Sequence, residues 1–282
     1  ELASAEMAVG NAMAGLERNK SIIPRIPSSQ GGFYMAQNAN TSKAYAQIGD
    51  FQSSEEYLRK VESTLVLARR SNFYATYGYN WNKNYFYAVA ELAFQKGRFL
   101  EAEISYRKAI EFLESGIVNH EKSFMSDGQG LGVPGMGGGT DIGSPNQMKA
   151  ALESLYLKLS DTLLKLRKVN ESEYFAREAL KKSLIRTGKA SLATSSAMRQ
   201  LAIVMLSRER NKDAIYLLTQ SLQGLQEAGV TAESIQLAVT KKTMASALIA
   251  DGRYTDALKI YEELETTIKT FSETGRFVDV NS

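Results

Sequence analysis

A pattern of turn, aromatic and small residues occurs five times in this sequence and constrains its fold more than any other feature. The clearest copy begins with the turn Gly97-Arg98-Phe99 and continues with Ala102, Tyr106 and Ala109. Apolar residues three and four positions apart share one face of an α-helix, and small residues let two helices approach closely. The pattern therefore predicts a repeated unit of helices separated by tight turns.

The other four copies keep the same spacing. Two of them begin with a turn glycine, Gly49 and Gly252, whereas Arg167 and Glu209 take its place in the two degenerate copies. Counting back from each turn gives a large residue and a small residue in the first helix of the pair. The large positions are Phe86, Tyr156 and Met198, and the small positions are Ala90, Ser160, Ala202 and Ala245.

Prolines are scarce and unevenly placed. The chain has four, at positions 24, 27, 134 and 145, so residues 146–282 contain none. Because proline breaks the interior of a helix, long helices can form in the tracts without it. Apolar residues recur there at helical spacing, and no window alternates strictly between apolar and polar residues as a half-buried strand would. The sequence therefore predicts an all-α fold.

The repeated positions resemble the tetratricopeptide repeat, in which a small residue of the first helix, a Gly-x-aromatic turn and an early Ala of the second helix recur. The resemblance implies a right-handed superhelical solenoid of about five helix pairs. The turns lie 48, 70, 42 and 43 residues apart, whereas the usual period is about 34 residues. The longer unit is similar to the kinesin-light-chain type, also found in bacterial regulatory proteins, and the chain is interpreted as one portion of such a protein.

The predicted organisation has three parts. Residues 1–32 form an N-terminal helix with a Pro-containing link, residues 33–272 form the solenoid, and residues 273–282 form a tail. A glycine-rich loop is predicted at 123–146, because eight of the chain's 21 glycines lie in residues 128–143. The chain starts at Glu1 without an initiator Met, which indicates a processed or trimmed product. That start and the absent cysteine favour a secreted or periplasmic location, although a cytoplasmic one is also compatible.

Composition removes most enzyme classes. The chain has no cysteine and a single histidine, His120, so thiolate nucleophiles, multi-histidine metal sites and disulfides are excluded. The net charge of +3 is small and evenly spread, which argues against nucleic acid as a partner. No apolar run approaches the length of a membrane span. We therefore expect no catalytic residue, no metal and no cofactor, and we expect a protein or a peptide as the partner.

The resemblance also implies where such a partner binds, since these arrays hold extended or helical segments on a concave face lined by the first helix of each pair. The positions in this sequence that correspond to the lining are Asn40, Lys43, Asn84, Tyr87, Glu91, Lys158, Asp161, Arg199, Lys242 and Ser246. Four of them are basic and two are acidic, which suits an acidic or mixed partner. The paired lysine and asparagine of chaperone-binding members are absent at matching positions.

An aromatic segment between residues 73 and 87 has two interpretations. Eight aromatic residues occupy these 15 positions. They form either a packed seam between two helix pairs or a binding patch made by Tyr77, Tyr79 and Trp81. The seam is the favoured interpretation, because aromatic residues at helical spacing are more often buried.

Together these patterns predict a non-enzymatic protein-interaction module, the sensory or scaffold arm of a larger assembly, which binds a peptide segment or a partner domain in a helical groove. The alternative is a structural subunit that self-assembles through the aromatic segment and the degenerate repeats. Solution mass at several concentrations would separate the two hypotheses.

Overall fold

The protein is described by a computed structural model for residues 12–27, 30–127, 144–232 and 234–273. These residues form eleven α-helices and one short 3-10 helix, Ile23–Arg25, and contain no strand. The α-helices are α1 (Ala12–Ile22), α2 (Gly31–Gln47), α3 (Phe51–Ala68), α4 (Tyr74–Gln95), α5 (Phe99–Asp127), α6 (Pro145–Lys165), α7 (Val169–Thr187), α8 (Leu192–Ser207), α9 (Asn211–Glu227), α10 (Ile235–Ala250) and α11 (Tyr254–Glu273). The prediction of an all-α fold is confirmed.

The helices form two compact units, and the boundary between the units lies inside α6, between Leu155 and Tyr156. In the first unit, α2 packs against α3 and α4 packs against α5, and α2 also contacts α4. In the second unit, α8 packs against α9 and α10 packs against α11, and α8 contacts α10. Within each unit the first helices of successive pairs are therefore neighbours.

The predicted loop and termini coincide only in part with described residues. Helix α5 continues to Asp127, into the first residues of the range assigned to the loop, and α6 begins at Pro145. Ser144 caps α6, because its hydroxyl accepts a hydrogen bond from the backbone N–H of Gln147 at 3.3 Å. The glycine-rich residues 128–143, the first eleven residues and residues 274–282 lie outside the described part of the chain. None of the described helices has the length and apolar character needed to cross a bilayer.

All five predicted turn positions adopt the left-handed conformation. Their φ angles are 83° at Gly49, 73° at Gly97, 60° at Arg167, 59° at Glu209 and 80° at Gly252. Each turn has the same two backbone hydrogen bonds: in the second pair the N–H groups of Gly97 and Arg98 donate to the carbonyls of Phe94 and Ala93, at 2.9 and 2.8 Å. This is the Schellman end of a helix, and the next helix begins directly after it.

Small residues mark the place where the two helices of each pair cross. Ser42 of α2 faces Ser54 of α3, 12 positions later, and each hydroxyl donates to the other's backbone carbonyl at 2.8 Å. Ser160 and Ser172 repeat the arrangement in the third pair, at 3.0 and 2.7 Å. In the other three pairs the equivalent buried residues are Ala90 and Ala102, Ala202 and Ala214, and Ala245 and Ala257. The predicted small positions are therefore the crossing points.

The turn geometry gives the first prediction. Gly97→Ala should lower the free energy of unfolding by about 1 kcal/mol, because a side chain in the left-handed region costs about 1–2 kcal/mol. No atom lies within 4 Å of a Cβ at Gly97, so the backbone alone is responsible. Urea unfolding followed by the emission of Trp81, the chain's one tryptophan, measures the change in the first unit.

Two further variants test the same cause. Gly31→Ala is the control, because its surroundings are equally open and its φ is not positive, so stability should not fall. Arg167→Gly should instead stabilise the protein by up to about 1 kcal/mol, since glycine relieves the left-handed strain and loses about 0.5–1 kcal/mol through chain entropy. Equal losses in Gly97→Ala and Gly31→Ala would contradict this explanation.

The serine crossing gives the second prediction. Ser42→Ala and Ser54→Ala should each cost about 1 kcal/mol, the net contribution of one hydrogen bond. The double variant restores the Ala–Ala crossing of the second pair, so its cost should be smaller than the sum of the single costs. Ser42→Leu should cost several times more, because the crossing has no room for a longer side chain.

The control is Ser63→Ala on the exposed side of α3, where the hydroxyl bonds only to the Lys60 carbonyl of its own helix. It should change the free energy of unfolding by less than about 0.5 kcal/mol. Two results would show that the crossing does not set the helix spacing. One is that the losses of unfolding free energy in Ser42→Ala and Ser54→Ala simply add in the double variant. The other is that Ser42→Leu is as stable as Ser63→Leu.

Candidate functional site

The first helices of the two pairs in the first unit bring four predicted lining residues onto neighbouring elements. Asn40 and Lys43 lie on α2, and Asn84 and Tyr87 lie on α4; all four are half-buried. The Lys43 Nζ lies 4.1 Å from the centre of the Tyr87 ring, within the range of a cation–π interaction. The structure therefore joins residues that are 44 positions apart in the sequence into one surface.

A lysine that the sequence interpretation did not select, Lys83, belongs to the same surface. It is one helical turn before Tyr87, so the two side chains share a face of α4. Burial lowers the pKa of Lys83 to about 7, and the charge of Lys43 acts in the same direction. The sequence could have identified this lysine by its position, because Lys83 is the one cation within the aromatic segment 73–87.

Glu91 is placed differently from the other predicted lining residues. It is fully buried, and its carboxylate accepts hydrogen bonds from the Tyr106 hydroxyl of α5 and from Gln47 Nε2 of α2, the latter at 3.4 Å. Tyr106 is also fully buried. Glu91 therefore links three helices inside the first unit, and a partner could not reach it without rearrangement.

The aromatic segment packs mainly within the first unit. Trp81 is only 7% exposed and forms a core cluster with Met35 and Leu65. Tyr77 stacks on Trp81, with ring centres 6.0 Å apart. The Tyr79 ring lies so close to the backbone of Gly116 in α5 that a Cβ there would collide with it. These contacts are those of a packed seam, while the half-buried Tyr77 and Tyr79 keep part of their surface exposed.

The second unit holds the other five predicted lining residues on three first helices. Lys158 and Asp161 lie on α6 and Arg199 lies on α8, and all three are half-buried, whereas Lys242 and Ser246 on α10 are exposed. Burial lowers the pKa of Arg199, and the carboxylate of Asp161 opposes that change. Gln200 Nε2, next to Arg199, donates to Ser160 Oγ at 3.3 Å. Asp161 and Arg199 are thus brought together, and Ser246 donates to the Lys242 carbonyl at 3.2 Å.

The side chains that these two surfaces offer to a partner include cations, amides and one aromatic ring. Among the described residues, no group of three or more histidines and carboxylates is arranged to hold a metal ion. His120 is half-buried on α5 and seven residues before the end of that helix. Lysine, arginine and asparagine side chains are donors of hydrogen bonds, so they suit an acceptor-rich partner.

Comparison with known proteins gives one sequence match. Residues 84–112 match the family model of the tetratricopeptide repeat. This range covers the second half of α4, the turn at Gly97 and the first half of α5. No curated protein matches the sequence.

Several solved structures are similar to the chain. BtubC (BKLC) from P. vanneervenii has 16% identity and a TM-score of 0.61, over 95% of this chain and 92% of that one. The assembly chaperone of RpL4 (Acl4, residues 1–338) has 13% identity and a TM-score of 0.55, over 99% and 90%. TPR-like repeats of a putative kinesin light chain from Podosopora anserina have 14% identity and a TM-score of 0.47, over 83% and 94%.

The first two similarities, with TM-scores of 0.61 and 0.55, show a shared fold. A fold of this kind serves protein–protein interaction or scaffolding in general and is typically non-catalytic. Residues 84–112 match the tetratricopeptide repeat, and the chain shares the fold of BtubC (BKLC) from P. vanneervenii.

Proposed function

We propose that this protein is a non-enzymatic interaction module that holds a segment of a partner protein against the first helices of its pairs. The observation that carries the proposal is a set of three cations, Lys158, Arg199 and Lys242, on three first helices of the second unit. None of the three is a crossing residue, because the crossings use serine and alanine. The packing of the helix pairs therefore does not require these charges. A partner segment with acidic side chains would complement them.

A comparison with the second helices supports the same choice of surface. The second helices also carry exposed lysines, but these belong to the ordinary solvated face of a helix. On the first helices, by contrast, Arg199 is half-buried beside Asp161. Charged groups that are partly removed from water interact more strongly with a partner than exposed groups do.

Self-assembly through the aromatic segment has less support. That hypothesis needs Trp81 and its neighbours at the surface, whereas Trp81 is buried among residues of its own unit. The proposed sensory or scaffold role in a larger assembly follows from the family resemblance.

The third prediction identifies the binding surface by photo-cross-linking. A benzoylphenylalanine at Ser246, on the exposed side of α10, should form adducts with a partner in an extract of the source cells. The same probe at Thr219, exposed on the second helix α9, is the control and should form few. Adducts mainly at Thr219 would overturn the choice of surface.

The captured partner then allows a matched test of charge. Lys158, Arg199 and Lys242 changed together to Glu should weaken binding by at least about tenfold, because reversed charges oppose an acidic segment. Lys181, Lys212 and Lys259, exposed on the second helices of the same unit, receive the same change as the control. Equal loss in both triple variants would reject the surface, and circular dichroism at the assay temperature should show that each variant keeps its helix content.

A further inference from the structure

Two of the loops that join one helix pair to the next carry exposed apolar side chains at both ends. In the second unit, Ile185 in the last turn of α7 is 78% exposed, and Leu192 at the start of α8 is also exposed. In the first unit, Leu67 near the end of α3 is 68% exposed, and Phe73 is exposed just before α4. Single exposed apolar residues are common, but here large ones recur at the same place in both units.

The α7–α8 loop is held in a fixed conformation. Gly188 ends α7 with a φ of 74°, and the Thr194 hydroxyl donates to its carbonyl at 2.6 Å. Ser191 caps α8, because its hydroxyl accepts a hydrogen bond from the Thr194 N–H at 3.1 Å. The loop backbone also rests on α9, where a Cβ at Gly224 would lie only 2.9 Å from the Lys189 carbonyl oxygen. The apolar side chains on either side are therefore exposed beside an ordered loop.

Cations accompany the apolar side chains at both loops. Arg69 and Arg70 are exposed between α3 and α4, and Lys189 is exposed between α7 and α8. Residues 63–90 and residues 179–208 contain no Asp or Glu. In the part of the chain that the structure describes, none of these three cations takes part in an ion pair. Each loop therefore presents positive charge that no ion pair neutralises.

The turns inside the pairs have the opposite character. They lie at the other end of the helices, because each turn follows a first helix and each loop follows a second helix. Cations at three of these turns are paired with carboxylates: Arg98 with Glu101 at 3.0 Å, Arg210 with Asp213 at 2.6 Å, and Arg253 with Asp256 at 2.7 Å. Unpaired cations beside exposed apolar side chains therefore distinguish the two loops from these turns.

A surface of apolar and cationic side chains suits the surface of a lipid bilayer. Cations are attracted to anionic headgroups, and apolar side chains beside them enter the boundary between headgroups and acyl chains. Either attraction alone gives weak attachment, whereas the two together give stable attachment. An acidic protein segment would neutralise the cations but would leave Ile185 and Leu67 facing polar groups.

We propose that these two loops dock on the surface of an anionic lipid membrane. Ile185 and Leu192 of one loop, and Leu67 and Phe73 of the other, enter the headgroup region, while the neighbouring cations contact the anionic groups of the lipids. Each loop is a separate contact. The proposal uses the ends of the helix pairs rather than the first-helix surface, so it does not rest on the proposed function.

The fourth prediction uses sucrose-loaded lipid vesicles and the full chain. Vesicles of phosphatidylcholine with about one third phosphatidylserine should sediment with the protein at low salt, whereas pure phosphatidylcholine vesicles should bind it at least about tenfold more weakly. Raising the salt concentration should release most of the bound protein, because salt screens the cations. The protein that remains in the supernatant at several lipid concentrations gives the partition coefficient.

Variants at each loop test the two contributions. Ile185→Gln should lower the partition coefficient by about fivefold, because an amide replaces the inserted apolar side chain. Arg69→Gln and Arg70→Gln together should lower it by about twentyfold, since each cation near an anionic surface contributes about fivefold.

Matched controls carry the same substitutions away from the loops. Ile104→Gln replaces an exposed isoleucine of α5, and Arg59→Gln with Arg98→Gln removes two exposed charges from the first unit. Each control should change the partition coefficient by less than about threefold. Circular dichroism at the assay temperature should show that every variant keeps its helix content, and if one loop variant loses it, the variant at the other loop decides the outcome.

Three results would overturn the proposal. The first is that the wild type binds both kinds of vesicle equally or binds neither, and the second is a wild-type partition coefficient in both loop variants. The third is that the loop variants lose affinity for a fluorescent polyglutamate peptide but keep their affinity for vesicles, which would indicate an acidic protein partner. The cross-links at Ser246 do not depend on these loops, so the proposed function is tested separately.

Discussion

The close crossing of two helices through small side chains is the interaction on which the other features depend. Each of the five pairs has two serines or two alanines at this point, 12 residues apart in the serine pairs. Because these side chains are so short, the distance between the helices is set by the close approach of their backbones. The chain must then reverse within a few residues, and a residue in the left-handed conformation makes that possible. The short distance between the paired helices therefore explains both the small residues and the turn residues of the repeated pattern.

The same crossing decides which residues are available for binding. Lys43, Glu91, Asp161 and Ser246 each follow a crossing residue directly, so they occupy one register on four first helices. Their exposure nevertheless differs, since Glu91 is fully buried and Ser246 is exposed. The large neighbour Tyr106 covers Glu91 and donates to it. The register places a residue beside the groove, and the size of the neighbouring side chains decides whether a partner can reach it.

The long helix α4 carries the aromatic packing of the first unit and three of the predicted lining residues, Asn84, Tyr87 and Glu91. Its first half carries the aromatic residues that join α2, α3 and α5, among them Trp81 and Tyr79. The same helix carries Lys83, whose pKa is lowered to about 7 by its burial and by the charge of Lys43. The aromatic segment therefore packs mainly inside the first unit, as the seam interpretation predicts.

The sequence by itself determined the fold class, the five turns and the crossing positions, because each depends on local spacing and on the size of single side chains. It identified the turns at Arg167 and Glu209 even though neither has glycine, since the surrounding pattern was intact. Tertiary structure alone decided that Glu91 and Trp81 are buried, that Lys43 lies over the ring of Tyr87 and that the chain divides inside α6. Burial and charge pairing depend on side chains that come from other helices, and no spacing within one helix encodes them.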